Sequence, residues 1–261
     1  MSDILIEQDG NVGIVTLNRP DRMNALNYGM IKDLIGYFSD AEQNDSIRAV
    51  IVTGSGRAFS TGADLVEGAG REDLDTPMGM KLSTHLYFRV FYYMNTIEKP
   101  IVTAVNGTAA GAGVNIAFGG DIIVAAEWVK FIEVFARRGM FPDAGGCYIL
   151  PRLIGLPKAR ELMFFADDLL AEDALEIGLV NKVVPKEKLM DEAMAYAQRL
   201  AKGPTRALGM MKKMLNRSFE MNIQDAMDYE AAYQGLLVST EDVKEGVMSF
   251  LEKRPPEFKG K

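Results

Sequence analysis

The stretch from Ile101 to Ala126 constrains this chain more than any other. It opens with a β-branched run, Ile101 to Val105, which reads as a buried strand, and a second such run lies at Ile122 to Val124. The residues between are small, with glycines at Gly107, Gly111, Gly113, Gly119 and Gly120. This segment offers bare backbone rather than reactive side chains. A helix starting near Ala112 would leave its first N–H groups without internal partners, and such an end attracts an anion or a carbonyl oxygen gaining negative charge.

The rest of the chain supplies strands early and helices late. Ile4 to Glu7 and Val12 to Leu17 flank Asp9-Gly10-Asn11, a hairpin signal. Asn24 or Asn27 would cap a helix carrying Met30, Leu34, Ile35 and Phe38 at helical spacing. A buried-type strand, Ala49 to Thr53, leads to a second small-residue segment, Phe59 to Leu65. Glu67 to Thr76 reads as a mobile surface loop, and Met78 to Ile97 as a long helix that Pro100 stops. Helices at Cys147 to Ile154 and Ala159 to Phe165 are split by Gly155-Leu-Pro157. A further strand is expected over Leu179 to Val184, and beyond Pro185 the pattern is almost wholly helical. This order suggests an α/β core followed by a helical C-terminal part.

Charge and rare residues narrow the chemistry. A net charge of −7 in 261 residues argues against nucleic acid as a partner, because phosphate binding needs a basic face. No apolar run is long enough to span a bilayer, and the opening Met-Ser-Asp-Ile does not read as a signal peptide, so no membrane partner and a cytoplasmic location are expected. The single cysteine, Cys147, excludes an internal disulfide, and the single histidine, His85, excludes most zinc sites and the usual base of a Ser-His-Asp hydrolase. Carboxylates, backbone dipoles, lysine and arginine remain, and no metal is expected.

Three punctuated loops, taken in order, resemble the crotonase (enoyl-CoA hydratase/isomerase) superfamily. They are Gly62-Ala63-Asp64-Leu65, Asn106-Gly-Thr-Ala-Ala-Gly-Ala-Gly113 leading to Asp121-Ile122, and Pro142-Asp-Ala-Gly-Gly146. Arg22-Met-Asn-Ala-Leu26 and the ending Glu245 to Arg254 are also similar to that family. The resemblance implies an α/β fold, a crotonase-like spiral of repeated ββα units. Residues 1–200 would form the spiral core with the acyl-CoA site, and residues 201–261 a helical C-terminal trimerisation region. It further implies acyl-coenzyme A thioesters as ligands, with coenzyme A part of the substrate and no separate cofactor. Self-association as a homotrimer or a dimer of trimers is implied as well.

Carried over by position, the family's oxyanion hole falls on the backbone N–H groups of Ala63 and Ala112. The family's hydratases use two glutamates to activate a water, and those positions hold Asn115 and Phe135 here. Glu133, two residues away, reads as structural or exposed. A carboxylate does stand at another family position, Asp143, where several branches keep their working acid. The segments Gly139 to Asp143 and Leu150-Pro-Arg152 are especially similar to ring 1,2-epoxyphenylacetyl-CoA isomerases. By spacing alone Asp143 fits two roles, a helix N-cap and a proton carrier. The resemblance also implies substrate contacts at Arg22, Ala25, Asp64, Leu65, Gly111, Phe135 and Lys253, the last from a neighbouring subunit; for Arg22 and Lys253 plain solvation, and for Asp64 a turn role, stay open. His85 reads as a packing or surface residue. The expected reaction is enoyl-CoA isomerisation, on an acyl group that is ring-derived in the most similar branch. A hydratase with an atypical acid/base set and a catalytically silent acyl-CoA binder are the alternatives.

Overall fold

The computed structural model describes residues 2–69 and 71–261. The chain opens with the expected hairpin, β1 (Ile4–Asp9) and β2 (Val12–Leu17), paired antiparallel and turned at Gly10 with φ +57°. Helix α1 (Tyr28–Gln43) starts at Asn27, whose side-chain oxygen accepts the Met30 N–H at 2.7 Å. Asn24, the other candidate cap, is buried in a left-handed conformation and donates to the carbonyls of Ser55 and Ala58.

Strands then come in pairs, each pair followed by helix. The series runs β3 (Ala49–Gly54), β4 (Ala58–Ser60), α2 (Leu65–Gly68) and α3 (Pro77–Thr96). Next come β5 (Ile101–Val105), β6 (Thr108–Ala110) and α4 (Ala112–Phe118), and then β7 (Ile122–Ala126), β8 (Lys130–Ile132) and α5 (Gly146–Phe165). The first strand of each pair joins a sheet ordered β1-β2-β3-β5-β7-β10, and the second joins a sheet ordered β4-β6-β8-β9. The chain thus winds as a spiral of ββα units, with parallel pairing between successive turns. The sequence pattern explains the central strands: β3 and β5 are β-branched and buried on both faces, as parallel strands covered on both sides must be.

The remaining elements are β9 (Leu169–Leu170), α6 (Ala171–Glu176), β10 (Lys182–Val184), α7 (Leu189–Ala201), α8 (Thr205–Arg217), α9 (Ile223–Leu237) and α10 (Glu241–Glu252). Alanines at 193, 197 and 201 give α7 a small buried face that seats it against the larger sheet. Helix α8 is tied down by Lys212, buried, which donates to the Met94 carbonyl at 2.7 Å and to Asp121 at 2.8 Å. Asp121 also accepts the Ile101 N–H at 2.7 Å, so one carboxylate fixes both the start of β5 and the C-terminal helices. Among the described residues no helix is long and apolar enough to cross a membrane.

Two expectations change, and a third holds. The strand expected over Leu179 to Val184 is confined to β10, because Gly178 turns at φ +76° and the N–H groups of Leu179 and Val180 both go to the Ala174 carbonyl. Glu67 to Thr76 is not all loop: it ends α2 and holds a 3₁₀ turn at Glu72–Asp75, while residue 70 lies outside the described residues. The two helices expected around Gly155 are present as the two arms of α5, which meet at a kink where Gly155 leaves helical geometry with φ 77° and ψ 159°.

Candidate active site

The segments after β4 and β6 meet at their glycines. Gly62 has φ +87°, and a methyl group on it would lie 2.9 Å from the Ala110 carbonyl oxygen and 3.1 Å from Ala112 N. Gly111, at φ +56°, ends β6 and begins α4; a methyl group there would sit 3.9 Å from both Gly62 Cα and the Phe135 ring. Only residues without a Cβ allow this approach and these positive φ values together. The approach brings Ala63 and Ala112 onto adjoining backbone. Among the described residues neither N–H donates to a protein acceptor. The Leu26↔Ala63 bridge holds the first segment from the other side, with Leu26 N–H going to the Gly62 carbonyl at 2.8 Å and Asp64 N–H to the Leu26 carbonyl at 3.0 Å.

Next to this junction opens a cavity of about 750 Å³. Its walls are aromatic and thioether side chains: Phe88, Phe135, Phe141, Tyr148, Met80 and Met140. Asp143 is the one carboxylate on the lining among the described residues. Its Oδ1 is inaccessible and has no hydrogen-bond partner, and burial pushes the carboxyl up to about 6. The N-cap role is excluded, because α5 starts at Gly146 with Gly145, at φ 83°, as its N-cap and no side chain capping it. Asp143 is held instead by its backbone carbonyl, which accepts from Asn115 Nδ2 at 3.0 Å and from the Gly146 N–H at 3.0 Å.

The other predicted residues divide into two groups. Phe135 and Gly111 belong to the junction itself. Ala25, Asp64 and Leu65 border it: Asp64 caps α2 through the N–H groups of Val66 and Glu67, both at 3.1 Å, and pairs with Arg19 at 2.9 Å. Arg19 was not singled out by sequence, yet its guanidinium also holds the Ala25 carbonyl, so it ties these two stretches together. Arg22 is exposed on a 3₁₀ turn. Lys253 is exposed at the left-handed end of α10 and is not brought to this cluster within one chain. His85, read as packing or surface, is exposed and lines the same cavity as Asp143. Among the described residues no group of three or more His, Cys, Asp or Glu could hold a metal ion.

For Glu133, read as structural or exposed, the second alternative is excluded. It is not exposed: 4% of its surface is accessible, and neither carboxylate oxygen has a partner. Burial pushes it up to about 8; the facing Asn115 amide offsets a part of this and the Asp143 charge adds to it. Strand alternation carried the missing signal. Phe131 is buried in β8, and the alternation of buried and half-buried positions continues past the strand's end through Glu133 and Phe135.

Residues 7–261 match the family model for enoyl-CoA hydratase/isomerase. The chain belongs to the enoyl-CoA hydratase/isomerase family. Relatives within it carry both kinds of name. The 1,2-epoxyphenylacetyl-CoA isomerase of Escherichia coli K12 is 38% identical over 100% of both chains. The short-chain-enoyl-CoA hydratase of Clostridium acetobutylicum is 36% identical over 97% of this chain and 96% of its own. A crystal structure of an enoyl-CoA hydratase from Bacillus anthracis superposes with a TM-score of 0.94 at 28% identity, covering 100% of each chain. The crotonase spiral implied by the three loops is therefore the fold of this family member.

Proposed function

We propose that this chain isomerises an enoyl thioester of coenzyme A, with Asp143 carrying the proton and the N–H groups of Ala63 and Ala112 holding the thioester oxygen. The observation that carries the reading is Asp143 itself, the one carboxylate on the cavity lining among the described residues, pushed by burial up to about 6. Its ionised form takes a proton from the α carbon of a 3-enoyl thioester. The released electron pair spreads over three carbons and the thioester oxygen, where two aimed donors lower the barrier by roughly 3 kcal/mol each. The proton returns at the γ carbon, so the bond moves and no electron donor or separate cofactor is needed. Because Asp143 must be ionised to start, kcat/KM should rise as pH passes through about 6.

The aromatic lining favours a flat or ring-derived acyl group over a plain short chain. For the coenzyme A part, we assign Arg22, Ala25, Asp64, Leu65 and Gly111 from the chain itself, Phe135 at the thioester end, and Lys253 from a neighbouring subunit of a trimer or dimer of trimers. Hydration is the second reading, and the observation in its favour is the second buried carboxyl, Glu133.

The test is to supply 2-enoyl- and 3-enoyl-CoA and follow double-bond position and water addition. Isomerisation is expected, with Asp143→Asn lowering kcat by about 10²- to 10⁴-fold and leaving acyl-CoA binding in place. Water addition as the main outcome would overturn isomerisation. Binding without turnover of either thioester would instead mark a silent acyl-CoA binder.

A further inference from the structure

Behind Asp143 lies a carboxyl that the proposed reaction does not use. Glu133 Oε1 and Oε2, Asn115 Oδ1 and Asp143 Oδ1 are all buried and without partners. Orphaned acceptors in one place are costly, and a donor among them would relieve the cost. Asn115 stands on α4, between the two acids. Its Nδ2 holds the Asp143 carbonyl at 3.0 Å, and Gly146 packs against the amide so closely that a methyl group there would lie 2.4 Å from Nδ2. The amide is therefore clamped, with one N–H committed to Asp143, a second N–H to give, and a bare Oδ1.

An ionised Glu133 would set a second negative charge near Asp143 in apolar surroundings and leave Asn115 Oδ1 without a donor. A neutral carboxyl solves both problems. Its O–H can go to Asn115 Oδ1, which gives that bare acceptor a donor. We propose that Glu133 is a positioning residue for Asp143: its neutral carboxyl pairs with the Asn115 amide, which in turn holds the Asp143 backbone and aims its carboxylate at the substrate. The inference rests on Asp143 being the proton carrier.

The groups around Glu133 agree with this. Asp143 raises its proton affinity from the loop before α5, and the Cys147 thiol on α5 is itself pushed up, by burial and then by the Glu133 charge. Arg137 and Arg138 on its own segment are exposed, and Lys81 and His85 border the cavity from α3. As pH passes about 8 the proton leaves, the pairing with Oδ1 breaks and a like charge appears beside Asp143, so the parent enzyme should lose kcat there.

Glu133→Ala, Glu133→Gln and Asp143→Asn test this together. Glu133→Ala should lower kcat by up to about 10²-fold with KM unchanged, the scale of a misaimed group. Glu133→Gln keeps both a donor and an acceptor, so it should rescue kcat at neutral pH and remove the alkaline fall. The infrared difference between parent and Glu133→Gln at neutral pH should contain a carboxylic C=O stretch, a readout that needs no turnover. An unchanged alkaline fall in Glu133→Gln, loss of rescue, or an ionised carboxylate in that spectrum would overturn the proposal while Asp143→Asn stayed inactive. Full turnover by Asp143→Asn would instead overturn the proton-carrier reading on which it rests.

Discussion

At the scale of single residues, the site turns on two carboxyls pushed in the same direction by burial, to about 6 at Asp143 and about 8 at Glu133. Raised carboxyl values have a definite sign for stability. The unfolded chain releases these protons near the ordinary values, 3.8 for Asp and 4.5 for Glu, while the folded chain holds them longer. Stability is therefore full below those ordinary values and falls as pH rises toward the folded ones, by about 1.4 kcal/mol per pH unit for each group while it lags. Glu133→Gln should abolish the larger part of that fall. Urea titrations below the ordinary glutamate value and near about pH 8 should give nearly equal stability for parent and variant at the first and a variant more stable by a few kcal/mol at the second. Equal stability at both would mean that Glu133 already has a partner for its charge.

Elements decide where the backbone donors stand. The loop after β4 and the start of α4 come together because Gly62 has no side chain to separate them and Gly111 holds a positive φ, and the Leu26↔Ala63 bridge fixes the loop from behind. Gly62→Ala must bear a positive φ and push against the Ala110 carbonyl and Ala112 N, both within 3.1 Å of the new methyl. The expected result is a fall in kcat on the order of 10²- to 10³-fold, the loss seen when one such donor is misplaced. Gly36→Ala is the matching control. It lies on the exposed face of α1 with nothing within 4 Å, so it should stabilise by about 1 kcal/mol and leave turnover alone. If steady-state kinetics gave both variants the parent kcat, the junction would not be the site of the donors.

For the molecule as a whole, the last helices leave a broad apolar face uncovered within one chain. Helix α9 buries no residue within one chain, and Ile223, Met227 and Leu236 on it are 78%, 56% and 59% exposed. Phe219 and Leu215 extend this apolar surface just before it. A 15-residue helix with no buried side chain gains too little from its own backbone to persist alone, so it needs a covering surface. Sedimentation equilibrium should give a trimer or a dimer of trimers, and Ile223→Asp with Met227→Asp should shift it toward monomer. A parent protein that sediments as a monomer at micromolar concentration would remove both the trimer and the assignment of Lys253 from a neighbouring subunit.

The sequence by itself determined the hairpin, the buried strands β3 and β5, a helix capped at Asn24 or Asn27, and the three glycine loops, because each rests on local periodicity or on the φ a residue can adopt. It left the spiral to family resemblance, since nothing local in β4, β6 or β8, three residues each, says which sheet they join. Only the tertiary structure excluded the cap role at Asp143, and only it brought Glu133 inside. Both outcomes depend on which distant segments exclude water: α3, α4 and the turn into α5 together bury these acids, and proton affinity follows that shared burial rather than any spacing along the chain. The stretch from Ile101 to Ala126 contributes to both sides of this division. Its glycines announce a close backbone approach, and its Asn115 acquires a role only when Asp143 and Glu133 are folded against it.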